Sequence, residues 1–362
     1  MQTCDTLLHA GVLLTQDDDR RVLENAALAI DGGRIVALGY SRDVTAAWQA
    51  REVLDLSGML VMPGLVNAHT HAAMTFLRGL ADDMPLMDWL QQKIFPVEQG
   101  LTPDLVRLGS LLGFAEMLRT GTTACVDMYI FEAAVMEAAD KAGLRCLAGE
   151  GVFNFPSACC PDADAALART REMAQRWAGH ERLQVAVMPH SVYTTTAAQL
   201  TACRELADEL GLPLHIHLAE TRQETALSLE QHGLRPVAHA DRLGLLRPGT
   251  ILAHVVDVDA DEIPLLARRG VSVVHNPSSN MKLASGVAPV PAMLDAGVRL
   301  ALGSDGAASN NRLNMFTEMG RAALLHKAAG DPETMPARTV LDMATRGGAA
   351  AMGGDGGVLA VG

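Results

Sequence analysis

The chain has 362 residues, 49% of them hydrophobic and only 4% aromatic, and carries a formal net charge of −13. Its length allows two average domains or one large α/β barrel with an appendage, and its aliphatic, alanine-rich make-up suits buried parallel strands covered by helices. The negative charge argues against a nucleic-acid backbone or an anionic membrane as partner, because both attract basic surfaces.

The N-terminus, "MQTCDTLLHAGVLLTQDDD", lacks the basic region of a signal peptide. No run reaches the ~18 apolar residues of a membrane span. The six cysteines show no CxxC pair, and adjacent Cys159 and Cys160 do not make a routine structural bridge. Reduced thiols, and hence a cytoplasmic location, are expected. Residues 1–62 read as short strands of a small β-domain, with a hairpin turn at Asp31-Gly32-Gly33.

From residue 63 to 345 one pattern recurs: a short aliphatic run, a polar residue at its C-terminal end, then an amphipathic helical stretch. The runs are 64–71, 122–128, 144–152, 183–191, 212–220, 250–257, 271–277 and 299–306. Eight strands alternating with helices predict a closed (β/α)8 TIM barrel. A doubly wound sheet would need a Gly-rich phosphate loop after the first strand, where this chain places histidines. Residues 346–362, "RGGAAAMGGDGGVLAVG", read as a Gly-rich return toward the small β-domain. That domain is expected to be sandwich-like with its C-terminal strands missing, which implies a truncated chain or strands that pair elsewhere.

In such a barrel the chemistry lies at the C-terminal strand ends. Those ends carry His69 and His71, His190, His217 with Glu220, His254, His275 and Asp305. His69 and His71 are two apart, so both point to one side of an extended strand. A lone histidine at a strand end is more often a satisfied polar residue. His9, His180, His232, His239 and His326 take that reading, and His215 is expected in the barrel interior. Asp82, Asp83, Asp257 and Asp259 read as loop or helix-capping residues. The rim set is different, because independent structural reasons rarely place so many ligand types on one face.

Three imidazoles and a carboxylate make a site suited to one Zn2+, with Fe2+ also accommodated, and an open position for water. No lysine ends the third or fourth strand to bridge a second ion. A bound ion brings the pKa of water to about 7. Glu220, three residues beyond His217, is the natural general acid/base.

The motifs "PGLVNAHTH", "HIHLAE", "HNPSSNMKL" and "GSDGAASNN" resemble the amidohydrolase superfamily. The likeness is to the branch of 5-methylthioadenosine/S-adenosylhomocysteine deaminases and related chlorohydrolases, and it runs over nearly the whole chain. It implies His69, His71, His217 and Asp305 as metal ligands and Glu220 as the proton shuttle to a ring nitrogen. Asp305 would take a proton from the attacking water, and His254 would orient that water. It also implies Trp89 packing on a nucleoside, Glu98 accepting ribose hydroxyls, and His190 and Ser309 beside the substrate. Hydrolytic deamination of an adenine nucleoside is the implied reaction, and self-association is common in the family, although no interface is legible here.

One departure bears on substrate choice. Where members that bind homocysteine carry an arginine after the third strand, this chain has Glu150, and the next arginine is Arg169. Burying like charges together is costly, so a neutral 5′-substituent is predicted: methylthioadenosine, adenosine or 5′-deoxyadenosine over S-adenosylhomocysteine. The alternatives are hydrolysis at another purine, pyrimidine or triazine ring, and a non-catalytic barrel serving as a scaffold.

Overall fold

A computed structural model describes residues 1–328 and 330–362, which divide into two compact units, Met1–Gly64 with Asp355–Gly362, and Leu65–Gly354. Among the described residues no helix is long and apolar enough to cross a membrane.

The smaller unit is one mixed sheet of β1 (Gln2–Leu14), β2 (Val22–Asp31), β3 (Arg34–Tyr40) and β4 (Trp48–Val61), in the order β3-β2-β1-β4. The predicted hairpin joins β2 to β3. Gly32 and Gly33 sit at φ 55° and 76°, the double left-handed conformation that a two-residue hairpin turn demands. Asp355–Gly362 returns to this sheet, where Leu359 N donates to Thr15 O and Gly362 N to Ile35 O. Edge strand β4 leaves Val53, Leu54, Met59 and Leu60 exposed. No second sheet faces the first among the described residues.

The larger unit is the predicted barrel. Its strands are β5 (Leu65–Thr70), β6 (Thr122–Tyr129), β7 (Arg145–Val152), β8 (Leu183–Val185), β9 (Met188–Pro189), β10 (Leu214–Leu218), β11 (Thr250–His254), β12 (Ser272–His275) and β13 (Arg299–Leu302). All neighbours pair in parallel. The fourth barrel strand is broken into β8 and β9, and bridges Val187–Leu214 and Ser191–His217 join it to β10. Closure comes from Asp305 N, which donates to His69 O across 3.0 Å.

Ala68, Val126, Leu147, Met188, Ile251, Val274 and Ala301 form one core from seven strands. Small and branched aliphatics can fill so narrow a lumen, which explains the aromatic-poor composition. Surrounding helices begin and end where local chemistry directs. Helix Ala197–Leu210 opens on a Thr196/Gln199 capping box and stops at left-handed Gly211.

The expected boundary at 346 does not hold. Residues 343–351 are helical and belong to the larger unit. A Cβ on Gly347 would lie 2.1 Å from Leu300 O, and one on Gly348 2.5 Å from Val66 Cβ. Those glycines serve close packing against barrel strands rather than a turn.

Candidate active site and metal centre

His69 lies in β5 and His71 one residue beyond it. Their rings meet edge-on with centroids 4.8 Å apart, as the i, i+2 spacing requires. His217 comes from β10 and Asp305 from the turn after β13. All four are buried. Asp305 Oδ1 lies 3.1 Å from His71 Nε2 and 3.4 Å from His69 Nε2, and His217 Nε2 is 3.4 Å from His71 Nε2. Four ligands about 2.0–2.2 Å from a tetrahedral ion stand roughly 3.3–3.6 Å from one another. The fit is close. His69 Nε2 is buried yet makes no hydrogen bond, so it is aimed at a common centre rather than at Asp305.

The outer nitrogens set the tautomers. His217 Nδ1 is 2.8 Å from the His190 carbonyl, His71 Nδ1 contacts the Met128 carbonyl, and His254 Nδ1 is 2.8 Å from Asn280 Oδ1. Carbonyl acceptors take a proton from Nδ1 and leave Nε2 with its lone pair facing inward. His69 Nδ1 pairs with His215 Nε2 at 3.1 Å, so the interior histidine supports the first candidate ligand.

Burial, with the Asp305 carboxylate opposing it, holds His69 down at about 4, and burial with the neighbouring imidazoles holds His190 at about 3. His71 differs. Burial disfavours its charge, but Asp305 outweighs that and raises it to about 9. A cation at Nε2 competes with this proton and releases it.

Asp305 is anchored from three directions. Oδ2 accepts from Ser279 Oγ at 2.5 Å and Ser309 Oγ at 3.0 Å, and Oδ1 from Gly306 N at 2.8 Å. Burial works against its charge, yet the neighbouring His69 and His71 imidazoles hold the carboxyl well below its usual range.

Glu220 is positioned by a turn of unusual backbone. Ala219, His254, Val255 and Asp305 all have positive φ, at 53°, 75°, 47° and 60°. Such conformations in non-glycine residues persist only when surroundings enforce them, and they cluster at functional sites. Glu224 is the enforcer here, accepting from Ala219 N at 2.9 Å and Glu220 N at 2.7 Å. Glu220 Oε1 then accepts from Ser285 Oγ at 3.2 Å, and Oε2 faces His254 Nε2 at 3.7 Å. Burial pushes the Glu220 carboxyl up.

His71, His217, Glu220, His254 and Asp305 line a cavity together with Trp89, Phe95, Glu98, Phe153 and His190. Burial raises Glu98 to about 7, with Tyr129 and His71 opposing. Past Glu98 lies a small annex lined by Phe95, Phe153, Phe155, Ile130, Ala158 and Gln99 among others. Phe155 stacks 5.1 Å from Phe153 and 5.2 Å from Phe95. A chain with few aromatics concentrates them here, and no cationic residue lines the annex among the described residues.

Three expectations need correction. Glu150 does not line the cavity. Its carboxylate accepts from Phe131 N, Glu132 N and the Cys159 thiol, because the chain leaves β7 with that side chain turned toward a helix start. Ser309 faces Asp305 rather than the cavity. His275 leaves the rim, its ring packing 5.4 Å from His326. By contrast Trp89, Glu98, His190 and His254 do line the cavity. Glu224 was missed although Thr221-Arg222-Gln223-Glu224 reads as a capping box. The Glu224 carboxylate passes over the expected cap and binds the two preceding N–H groups instead.

Residues 60–362 match the amidohydrolase family model. A relative from Desulfovibrio desulfuricans, named 5-methylthioadenosine/S-adenosylhomocysteine deaminase, is 65% identical over 353 residues, covering 97% of this chain and 80% of its own length. An adenosine deaminase from Xanthomonas campestris, solved with bound zinc, superposes with TM-score 0.98 at 43% identity, covering 100% of this chain and 83% of that one. An atrazine chlorohydrolase from Arthrobacter aurescens complexed with zinc reaches TM-score 0.91 at 26% identity over 99% of this chain and 85% of its own. With a barrel whose first strand delivers a His-x-His pair, and with a family match over most of its length, the chain belongs to the amidohydrolase family.

Proposed function

We propose that this protein hydrolytically deaminates an adenine nucleoside, breaking the exocyclic C–N bond, forming C–O from water, and releasing ammonia. The observation that carries this reading is the convergence of His69, His71, His217 and Asp305 beside Glu220, at the end of a cavity that carries Glu98 and Trp89. Those four residues would hold one divalent ion, zinc by the donor set, with Fe2+ also suited. When bound, the ion supplies Lewis acidity and makes water nucleophilic at neutral pH.

The remaining work falls to this chain's side chains. Burial favours protonated Glu220, which donates to the purine ring nitrogen and recovers a proton afterwards. Asp305 accepts a proton from the attacking water, and His254 orients that water through Nε2, its Nδ1 being engaged by Asn280. Trp89 packs on the base, Glu98 accepts ribose hydroxyls, and His190 lies against the nucleoside.

The name of the D. desulfuricans relative and that of the X. campestris structure support the adenine nucleoside. For the 5′-substituent, the phenylalanine-lined annex supports a neutral, apolar group: a methylthio group would meet aromatic rings there, a favourable sulfur contact. Glu150 plays no part in that preference, since its carboxylate is engaged by Phe131 N, Glu132 N and Cys159.

A panel of 5′-modified adenosines, with guanine and a chloro-triazine as controls, followed by ammonia or chloride release tests both levels. Methylthioadenosine should give the highest kcat/KM. Higher kcat/KM for S-adenosylhomocysteine would overturn the 5′ assignment alone, and no ammonia from any adenine nucleoside would overturn the function. Glu220→Gln should keep the metal and lose turnover by about 10²–10⁴-fold, the usual contribution of a general acid/base.

A further inference from the structure

Beside the annex lies a group of reactive side chains that the deamination does not use. Cys159 Sγ is 3.4 Å from Cys160 Sγ and 2.8 Å from Glu150 Oε1. We propose that Cys159 and Cys160 are a reversible oxidative modification site, closed to a vicinal disulfide by a hydroperoxide, and that closure reshapes the annex.

The two thiols differ in chemistry. The adjacent Cys159 thiol, aided by the Arg169 guanidinium and opposed by burial, lowers Cys160. Cys159 is raised, chiefly by its interaction with Cys160 and by burial. Cys160 is therefore the more acidic thiol and the better nucleophile of the pair, and Cys159 the protonated partner. In the first step the Cys160 sulfur attacks hydrogen peroxide. An S–O bond forms, the O–O bond breaks, and hydroxide leaves. In the second the Cys159 sulfur attacks the sulfenic sulfur. The S–S bond forms, the S–O bond breaks, and the departing oxygen takes the Cys159 proton to leave as water. Two thiols are oxidised by two electrons and the peroxide is reduced to water.

The site distinguishes this pair from the other thiols. Cys125 and Cys146 are also close, at 3.7 Å, but both are 0% exposed on adjacent barrel strands. Cys159 is 9% and Cys160 3% exposed, and the Cys159 sulfur is 3.3 Å from Ser157 Oγ, a residue that lines the annex. Adjacent Cα atoms are about 3.8 Å apart, below the ~4.4–6.8 Å usual for a disulfide, so a bond here is strained and easily reduced. A metal is a poorer occupant of these ligands. Glu150 has both oxygens engaged by backbone N–H groups, at 2.9 Å from Phe131 N and 3.2 Å from Glu132 N.

Oxidation would remove the Cys159 thiol from Glu150 and distort the turn in which Ser157 N donates to Cys160 O and Cys160 N to Ser157 Oγ. Ser157 and Ala158 of that turn line the annex. The kinetic consequence rests on the proposed deaminase reading; the chemical modification does not.

The test treats the metal-loaded full chain with hydrogen peroxide and maps peptides by mass. The expected result is a single peptide spanning Cys159 and Cys160 that is about 2 Da lighter and restored by dithiothreitol, formed ahead of any change at the other four cysteines. An unchanged peptide while other cysteines oxidise, or direct passage to sulfinic acid, would overturn the site. In parallel, oxidation should raise KM for methylthioadenosine about tenfold, the scale of losing an apolar pocket contact. Cys160→Ser should lack both the mass change and the KM shift. A disulfide that leaves KM unchanged would refute the coupling to the annex while the site stands.

Discussion

Glu224→Gln separates positioning of the proton shuttle from the chemistry itself. Glu224 is fully buried and does not line the cavity. Its two oxygens accept the Ala219 and Glu220 N–H groups at 2.9 and 2.7 Å. The amide keeps one acceptor and presents N–H to the other donor, so one hydrogen bond is lost and a buried N–H left unsatisfied, at about 1–3 kcal/mol of stability. Ala219 holds φ 53°, a conformation that costs roughly 1–3 kcal/mol and relaxes once its support goes. Relaxation swings Glu220 away from His254. A displacement near 1 Å remote from the reacting atoms costs roughly 10²-fold. We therefore expect kcat to fall about 10–100-fold, with KM and bound metal unchanged and Tm lower by several degrees. The assay combines steady-state ammonia release, metal analysis of the purified variant and a thermal melt. If Tm falls but kcat stays within about twofold, the residue only supports the fold and the reasoning fails. Loss of kcat in proportion to metal would refute it equally.

His215→Phe should weaken metal affinity about 10–100-fold by removing the partner of His69 Nδ1; equal affinity in a chelator competition would contradict this. Gln99→Arg places a cation in the annex and should raise kcat/KM for S-adenosylhomocysteine relative to methylthioadenosine roughly two- to fivefold, the scale of an exposed ion pair; an unchanged ratio would mean the 5′-group lies elsewhere. Glu132 is buried, neither of its oxygens has a hydrogen-bond partner, and burial with the nearby Asp127 carboxylate pushes it well above the usual range. A carboxyl whose folded pKa is raised binds more protons folded than unfolded, so stability falls as pH rises above about 4.5 toward the folded value. Wild-type Tm should be lower at pH 8.5 than at pH 6, and Glu132→Gln should flatten that difference; parallel melting curves would exclude Glu132 as its source.

Much of this molecule was legible from its residues alone. The eight aliphatic runs became the barrel strands because parallel strands buried on both faces need uninterrupted Val, Leu, Ile and Ala, a pattern no helix or surface strand imitates over so many repeats. The hairpin at Gly32-Gly33 followed from the same kind of local necessity. His69, His71 and His217 were placed by strand periodicity, which fixes side-chain direction within a strand.

Near the strand ends periodicity does not say which side chains meet the cavity, and the tertiary structure decides. Glu150 and His275 sit at strand ends and still turn away from the cavity, one toward a helix start and the other toward His326. Glu220, His254 and Asp305 face it because Ala219, His254 and Asp305 adopt left-handed backbone that no local propensity favours. Glu224, Asn280, Ser279 and Ser309 sustain that arrangement through hydrogen bonds, several spanning distant segments of chain. The tail behaves alike: Gly347 and Gly348 signal a turn in one dimension and a close helix contact in three, because only the packed barrel shows that a Cβ there would strike Leu300 and Val66.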